Sequence, residues 1–255
     1  NNAGFTSQKN YTIIIDKVVK DPGTVITKLN DQNGELYEEN TWTNQNVYVE
    51  VQNGGENITT TYQVEGANTI SKTSEPTTLT KEGISTITII NEDDGGNVSK
   101  RNITVKIDKQ APQKPVLKVT GKKILEDSSW YTSDVHTKMT AIEKSEYAKI
   151  KHIEYQLKEM TYDVTKTDII QNQETLTITE EGIYELTAWA VDEAGNRSEG
   201  TTVEIKLDTT NPVAGTLSMY TNNQDGQVYV NNTWTNQSIY VELVEGTDEL
   251  SGHSN

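Results

Sequence analysis

The stretch AVDEAGNRS, from Ala190 to Ser198, gathers Asp192, Glu193 and Asn196 around Gly195 at the end of an alternating run. Carboxylates that converge in such a loop attract divalent cations. Calcium takes about six to eight oxygen ligands, so two or three acids would need carbonyls or water beside them. The spacing lacks the D-x-D-x-D-G order of an EF-hand loop. The same letters also spell a turn, in which Asp and Asn satisfy nearby backbone N–H groups while Gly195 takes a positive φ. The turn is the expectation, and a cation site is its alternative.

Other chemistries find little support. His136, His152 and His253 stand in no Ser-His-Asp or metal-ligand spacing. Paired carboxylates in thin domains without a deep cleft read as surface charge rather than as a glycosidase pair. No catalytic residue is assigned, and the segment is not expected to be an enzyme. The absence of cysteine excludes disulfides, thiolate metal sites and cysteine nucleophiles, and it favours a bacterial source. A net charge of −16 would repel a phosphate backbone, so nucleic acid is excluded as a partner. No apolar run approaches the ~20 residues of a membrane span, so no membrane insertion is expected in this segment. A start at Asn1 rather than Met reads as a fragment.

The elements that must position any site are set by internal repetition. NTWTNQNVYVEV (Asn40 to Val51) recurs as NTWTNQSIYVEL (Asn232 to Leu243), with a divergent copy, SSWYTSDVHTKM (Ser128 to Met139), between them. Trp42, Trp130 and Trp234 are therefore 88 and 104 residues apart, by the differences 130 − 42 and 234 − 130. That is the length of one Ig-sized domain. A second marker, DDGGNVSKRNITVKID (Asp93 to Asp108), aligns with DEAGNRSEGTTVEIKLD (Asp192 to Asp208), and the opening NNAGFTSQKNYTIIID (Asn1 to Asp16) is the same element.

Within each copy the apolar residues alternate with a period of two, as strands with one buried face require. Val47, Val49 and Val51, their counterparts Val135, Thr137 and Met139, and Ile239, Val241 and Leu243 are expected to face inward. Tyr62 and Val64 match Tyr155 and Leu157. Tyr184, Leu186, Ala188 and Ala190 form another inward row, and Ile103, Val105 and Ile107 repeat as Val203, Ile205 and Leu207. Gly, Asn and Asp clusters separate the runs. About seven short strands per copy make a β-sandwich.

Asp108 and Asp208 close the last strands, and Pro112, Pro115 and Pro212 follow within a few residues. A proline cannot donate to a ladder and fixes its own φ, so it ends the strand and stiffens the link. The expected organisation is all-β, a beads-on-a-string array of tandem Ig-like β-sandwich domains. Residues 1–17 are the last strand of a preceding repeat, 18–110 and 111–210 are complete repeats, and 211–255 are the start of a further, truncated one.

The series of Trp, Y-x-[LV], E-G-[IV], AVDEAGNRS, a strand ending in Asp and then Pro resembles the bacterial Ig-like tandem repeats of cell-surface proteins and large adhesins. DELSG (Asp248 to Gly252) resembles the D-x-x-S-G of such repeats, whereas the first copy has NGGENITTTY there and the second has Glu143 and Ser145 in a Lys-rich insert. The resemblance implies an extracellular segment, on a bacterial surface or secreted, that acts as a stalk or spacer presenting a terminal functional module. Its partners are then the neighbouring Ig-like repeats of the same chain. The alternatives are an adhesive module that contacts a glycan or host surface protein, and an accessory region of a secreted carbohydrate-active enzyme.

The resemblance also implies calcium near domain junctions, with Asp93, Asp94 and Asp108 as candidate ligands in one copy and Asp192, Glu193 and Asp208 in the next. For the adhesive alternative, Trp189 alternates out of phase with the inward residues, and with Tyr48 and Tyr240 it is the candidate contact surface. Trp42, Trp130 and Trp234, fixed at one position before the same strand, read instead as core or edge-packing aromatics.

Overall fold

The computed structural model describes residues 6–251 apart from Lys20, Asn53 and Ile124. It contains eighteen strands and no helix among the described residues. The chain divides into two compact units. One comprises Asn1–Pro112 with Glu143–Ile150 and Val191–Arg197. The other comprises Gln113–Ile142 with Lys151–Ala190 and Ser198–Asn255.

In the first unit the strands are β1 (Val25–Leu29), β2 (Trp42–Thr43), β3 (Val47–Val51), β4 (Ile58–Gly66), β5 (Ile70–Thr73), β6 (Thr77–Leu79), β7 (Gly83–Asp93) and β8 (Val98–Ile107). They form a three-stranded sheet, β1-β3-β6, and a five-stranded sheet, β2-β8-β7-β4-β5. All pairings are antiparallel except β2 with β8, which sets Trp42 against Lys106. The alternation dictates the core. Val47, Val49 and Leu79 of the small sheet pack with Tyr62, Val64, Ile87, Ile89, Ile103, Val105 and Ile107 of the large one. Each such side chain taken out of water contributes roughly 1.5–3 kcal/mol. Burial pushes the Tyr62 hydroxyl up to about 12, with smaller contributions from Tyr48 and Glu75, and that hydroxyl donates to the Glu75 carbonyl at 2.7 Å.

The second unit repeats the scheme with β9 (Val116–Thr120), β10 (Trp130–Tyr131), β11 (Val135–Thr140), β12 (Ile150–Glu159), β13 (Val164–Ile170), β14 (Thr175–Ile178), β15 (Gly182–Asp192) and β16 (Thr201–Leu207). The sheets are β14-β11-β9 and β10-β16-β15-β12-β13, the same order strand for strand. The terminal residues of β12 and β15 fall in segments that group with the first unit. Val135, Thr137, Met139, Leu186, Ala188, Ala190, Ile205 and Leu207 are fully buried, and Tyr155 and Tyr184 nearly so. Val51, Leu157 and Val203, expected inward, are only half-buried. Val51 and Leu157 lie at or near the ends of their strands, where cover from the opposing sheet thins.

Two further strands, β17 (Thr216–Thr221) and β18 (Ile239–Val244), form a two-stranded sheet among the described residues. The alternation turns Ile239, Val241 and Leu243 toward a core, but Val241 and Leu243 are exposed, because no second sheet covers them among the described residues. Residues 6–19 form no strand, and Tyr11, Ile13, Ile14 and Ile15 of the expected preceding strand are exposed. A segment without a ladder partner has nothing to pair with.

Candidate functional site: acidic turns and strand ends

The two acidic turns are built alike. In the first, the Asp93 carboxylate accepts the backbone N–H of Gly95 at 3.0 Å and of Asn97 at 2.9 Å. The Asn97 amide donates to both of its oxygens, at 3.3 and 3.1 Å. In the second, Asp192 Oδ1 accepts Asn196 N–H at 2.8 Å and Oδ2 accepts the Asn196 amide at 2.9 Å. Gly96 and Gly195 close the turns at φ of 78° and 86°, a conformation that only glycine adopts freely. Gly195 thus has the positive φ expected from its place in the sequence.

The aspartates that close the terminal strands are equally well supplied. Asp108 Oδ1 accepts Gln110 N–H at 3.0 Å and Oδ2 accepts Ala148 N–H at 3.0 Å. Asp208 Oδ1 accepts Thr210 N–H at 3.0 Å and Oδ2 accepts Ser251 N–H at 3.1 Å. Beside them sit the glutamates of the E-G-[IV] motif. Glu82 Oε1 accepts Lys109 N–H at 2.7 Å, and Glu181 Oε1 accepts Thr209 N–H at 2.9 Å. Hydrogen bonds from the Thr209 and Thr210 side chains, and then from the Thr209 N–H, hold the Glu181 carboxyl below the usual glutamate value.

Of the six calcium candidates, the structure brings Asp108 and Asp192 into one neighbourhood. The Asn196 amide donates to Asp192 Oδ2 and also to the backbone carbonyl of Asp108, at 2.9 Å in both cases. Glu143 joins them: burial raises its carboxyl above the ordinary value, and the charges of Asp192 and Asp108 add to the rise. One buried oxygen of Glu143, Oε2, has no hydrogen-bond partner. Asp93 lies in its own turn, and Asp94 and Glu193 are exposed. Among the described residues, no three acids or histidines converge as a metal-holding group. What converges on these carboxylates is N–H donors, whose positive ends occupy directions a cation would need.

The aromatics do not form one surface. Tyr48 lies on β3 and reaches Glu50 at 3.3 Å. Tyr240 lies on β18 beside Tyr220, with ring centroids 6.4 Å apart. Trp189, half-buried on β15, lies over Gly200, where an added Cβ would come within 2.7 Å of its Nε1. Trp42 is an edge residue that packs on Tyr147 with centroids 6.0 Å apart, while Lys106 Nζ lies 5.8 Å above its ring. His136 Nδ1 bonds Thr177 at 3.0 Å, His152 approaches Glu154 at 3.7 Å, and His253 lies outside the described residues.

The candidate ligands named from the sequence leave out Asn97, Glu82 and Glu181, and give Asn196 a place only in its own turn. Their signal is recurrence, since G-N follows both acidic turns and E-G opens both long strands, β7 and β15.

No protein-family model matches the chain, and no curated protein does. It is similar to several solved structures at low identity. The fibronectin(III)-like modules of Clostridium thermocellum CbhA match with 13% identity and a TM-score of 0.38, over 72% of this chain and 94% of that one. A multidomain segment of titin matches with 12% identity and a TM-score of 0.41, over 73% and 68%. A structure from a 1.5-MDa bacterial ice-binding adhesin matches with 11% identity and a TM-score of 0.36, over 81% and 71%.

Proposed function

We propose that this chain is a structural spacer of a bacterial cell-surface or secreted protein, in which Ig-like repeats hold a terminal module at a distance and catalyse nothing themselves. The observation that carries the reading is the identical strand order of two successive modules, whose most chemically suggestive carboxylates already accept N–H groups of this chain. A spacer needs modules that fold independently and add length by repetition. The adhesive alternative would need Trp189, Tyr48 and Tyr240 to act together, and they lie on three separate sheets.

A glycan array with the intact chain tests this. The spacer reading expects no saturable binding, and a hit lost on Trp189→Ala would replace it with the adhesive one. Melting with calcium and with EDTA tests the cation site inferred from resemblance. Superimposable curves are expected, and a midpoint raised by calcium and lost in EDTA would assign Asp108, Asp192 and their neighbours to metal binding.

A further inference from the structure

Asp16, Asp108 and Asp208 close the three copies of one sequence element, the latter two directly after β8 and β16, and their bonding follows one plan. The near oxygen of each accepts the N–H two residues on: Val18 at 2.9 Å, Gln110 at 3.0 Å and Thr210 at 3.0 Å. That is an Asx turn, and it explains why an Asp or Asn could stand there. It does not explain the remaining bonds, which come from far along the chain. The second oxygen of Asp108 accepts from Ala148, 40 residues away, and that of Asp208 from Ser251, 43 residues away. The backbone carbonyl of Asp108 accepts the Asn196 amide, 88 residues on, and the carbonyl of Asp16 accepts the Asn97 amide at 3.2 Å, 81 residues on. Every one of these donors belongs to the next copy of the sequence repeat. Asp108, Ala148 and Asn196 share one compact unit.

We propose that the aspartate closing each copy of this element is the coupling residue of the array, and that its partner is the following repeat. A backbone N–H in that repeat, from Ala148 or Ser251, captures the carboxylate. The asparagine of that repeat's D-x-x-G-N turn, Asn97 or Asn196, captures the carbonyl. The glutamate of the E-G motif, Glu82 or Glu181, holds the next N–H from its own side. The proposal rests on the spacer reading and says how consecutive repeats are joined within it.

The chemistry selects these residue types. A carboxylate offers two acceptor oxygens and no donor, so it can take one N–H from its own turn and another from the next repeat. Asparagine in its place would turn an NH2 toward one of those N–H groups. Asp108 is wholly buried, and a buried carboxylate is tolerated when donors surround it. At the acidic turn the requirement inverts: Asn97 and Asn196 must donate to a carbonyl and to their own aspartate, which a side-chain amide can do and a carboxylate cannot.

Trypsin provides a crossed test, because Lys17 directly follows Asp16 and Lys109 directly follows Asp108. In the full chain, Asn196→Ala is expected to speed cleavage after Lys109 by about tenfold, the effect of a lost buried hydrogen bond on local opening, and to leave Lys17 unchanged. Asn97→Ala is expected to do the reverse, by about twofold because its bond is exposed. Amide exchange of Val49 and Leu186 shows whether the cores stay folded. If either variant leaves its own site unchanged, or speeds both sites equally, the coupling role is wrong. Should Asn196→Ala unfold its module, the Asn97→Ala arm still decides. A glycan-array hit would overturn the spacer reading without altering this outcome.

Discussion

NTWTNQNVYVEV and NTWTNQSIYVEL differ only at Asn46/Ser238, Val47/Ile239 and Val51/Leu243, yet the two segments meet different surroundings. Locally they are superposable in their bonding. Asn40 and Asn232 both sit at a φ of 64°. Gln45 N–H donates to the Thr43 hydroxyl, and Gln237 N–H to that of Thr235, both at 3.1 Å. The hydroxyls of Tyr37 and Tyr229 donate to the carbonyls of Thr41 and Thr233. Burial is where they part. Val49 is 0% exposed and Val241 is 52% exposed, because β3 lies under a five-stranded sheet, whereas β18 and β17 form a sheet with no second sheet over it among the described residues. Turn geometry therefore belongs to the local sequence, whereas a core belongs to a pair of sheets.

The same change made in both copies should separate them most. Val49→Ala removes buried methyl groups and leaves a cavity, so it is expected to cost about 2 kcal/mol. Val241→Ala should stay within about 0.5 kcal/mol, as surface changes do. Urea denaturation of the two variants measures both. Equal losses would mean that β18 is covered in solution and that the contrast in burial is not real.

The tryptophans should give a smaller contrast. Trp42→Ala forfeits the contacts with Tyr147 and Lys106, expected to cost about 1–2 kcal/mol for a half-buried aromatic. Trp234 is fully exposed, and its replacement should leave the denaturation midpoint unmoved. Acrylamide quenching of single-tryptophan variants sharpens the point. Trp234 should quench freely and Trp42 weakly, and equal quenching would show that the loop carrying Tyr147 does not rest on Trp42.

The division between local and distant also accounts for what can be read from the sequence. The period of two marks the inward rows, such as Val47 with Val49 and Ile103 with Val105, because neighbouring residues of a strand must face opposite sides of a sheet. Gly195 and its positive φ are legible for the same local reason. The partners of Asp108 are not. Ala148 and Asn196 reach it across 40 and 88 residues, a separation that no local pattern spans. Composition and spacing therefore point to converging acids, while the folded chain surrounds those acids with N–H donors. The alternation likewise assigns an inward face to Val241 and Leu243, but no local pattern can supply the sheet that would cover them.

The smallest effect concerns the turn that the two copies share. At a φ of 64°, asparagine tolerates the left-handed region better than alanine does, and glycine tolerates it without penalty. Asn40→Ala should cost about 1 kcal/mol, and Asn40→Gly should lie within about 0.5 kcal/mol of the parent. Asn232→Ala meets the same backbone strain, so chemical shifts around Thr233 and Trp234 should move as those around Thr41 and Trp42 do. The denaturation midpoint should fall only for the Asn40 variant, because the strain at Asn232 acts on a strand pair that shares no two-sheet core among the described residues. If Asn232→Ala lowered the midpoint as much as Asn40→Ala, the hairpin of β17 and β18 would have to be folding together with a complete sandwich.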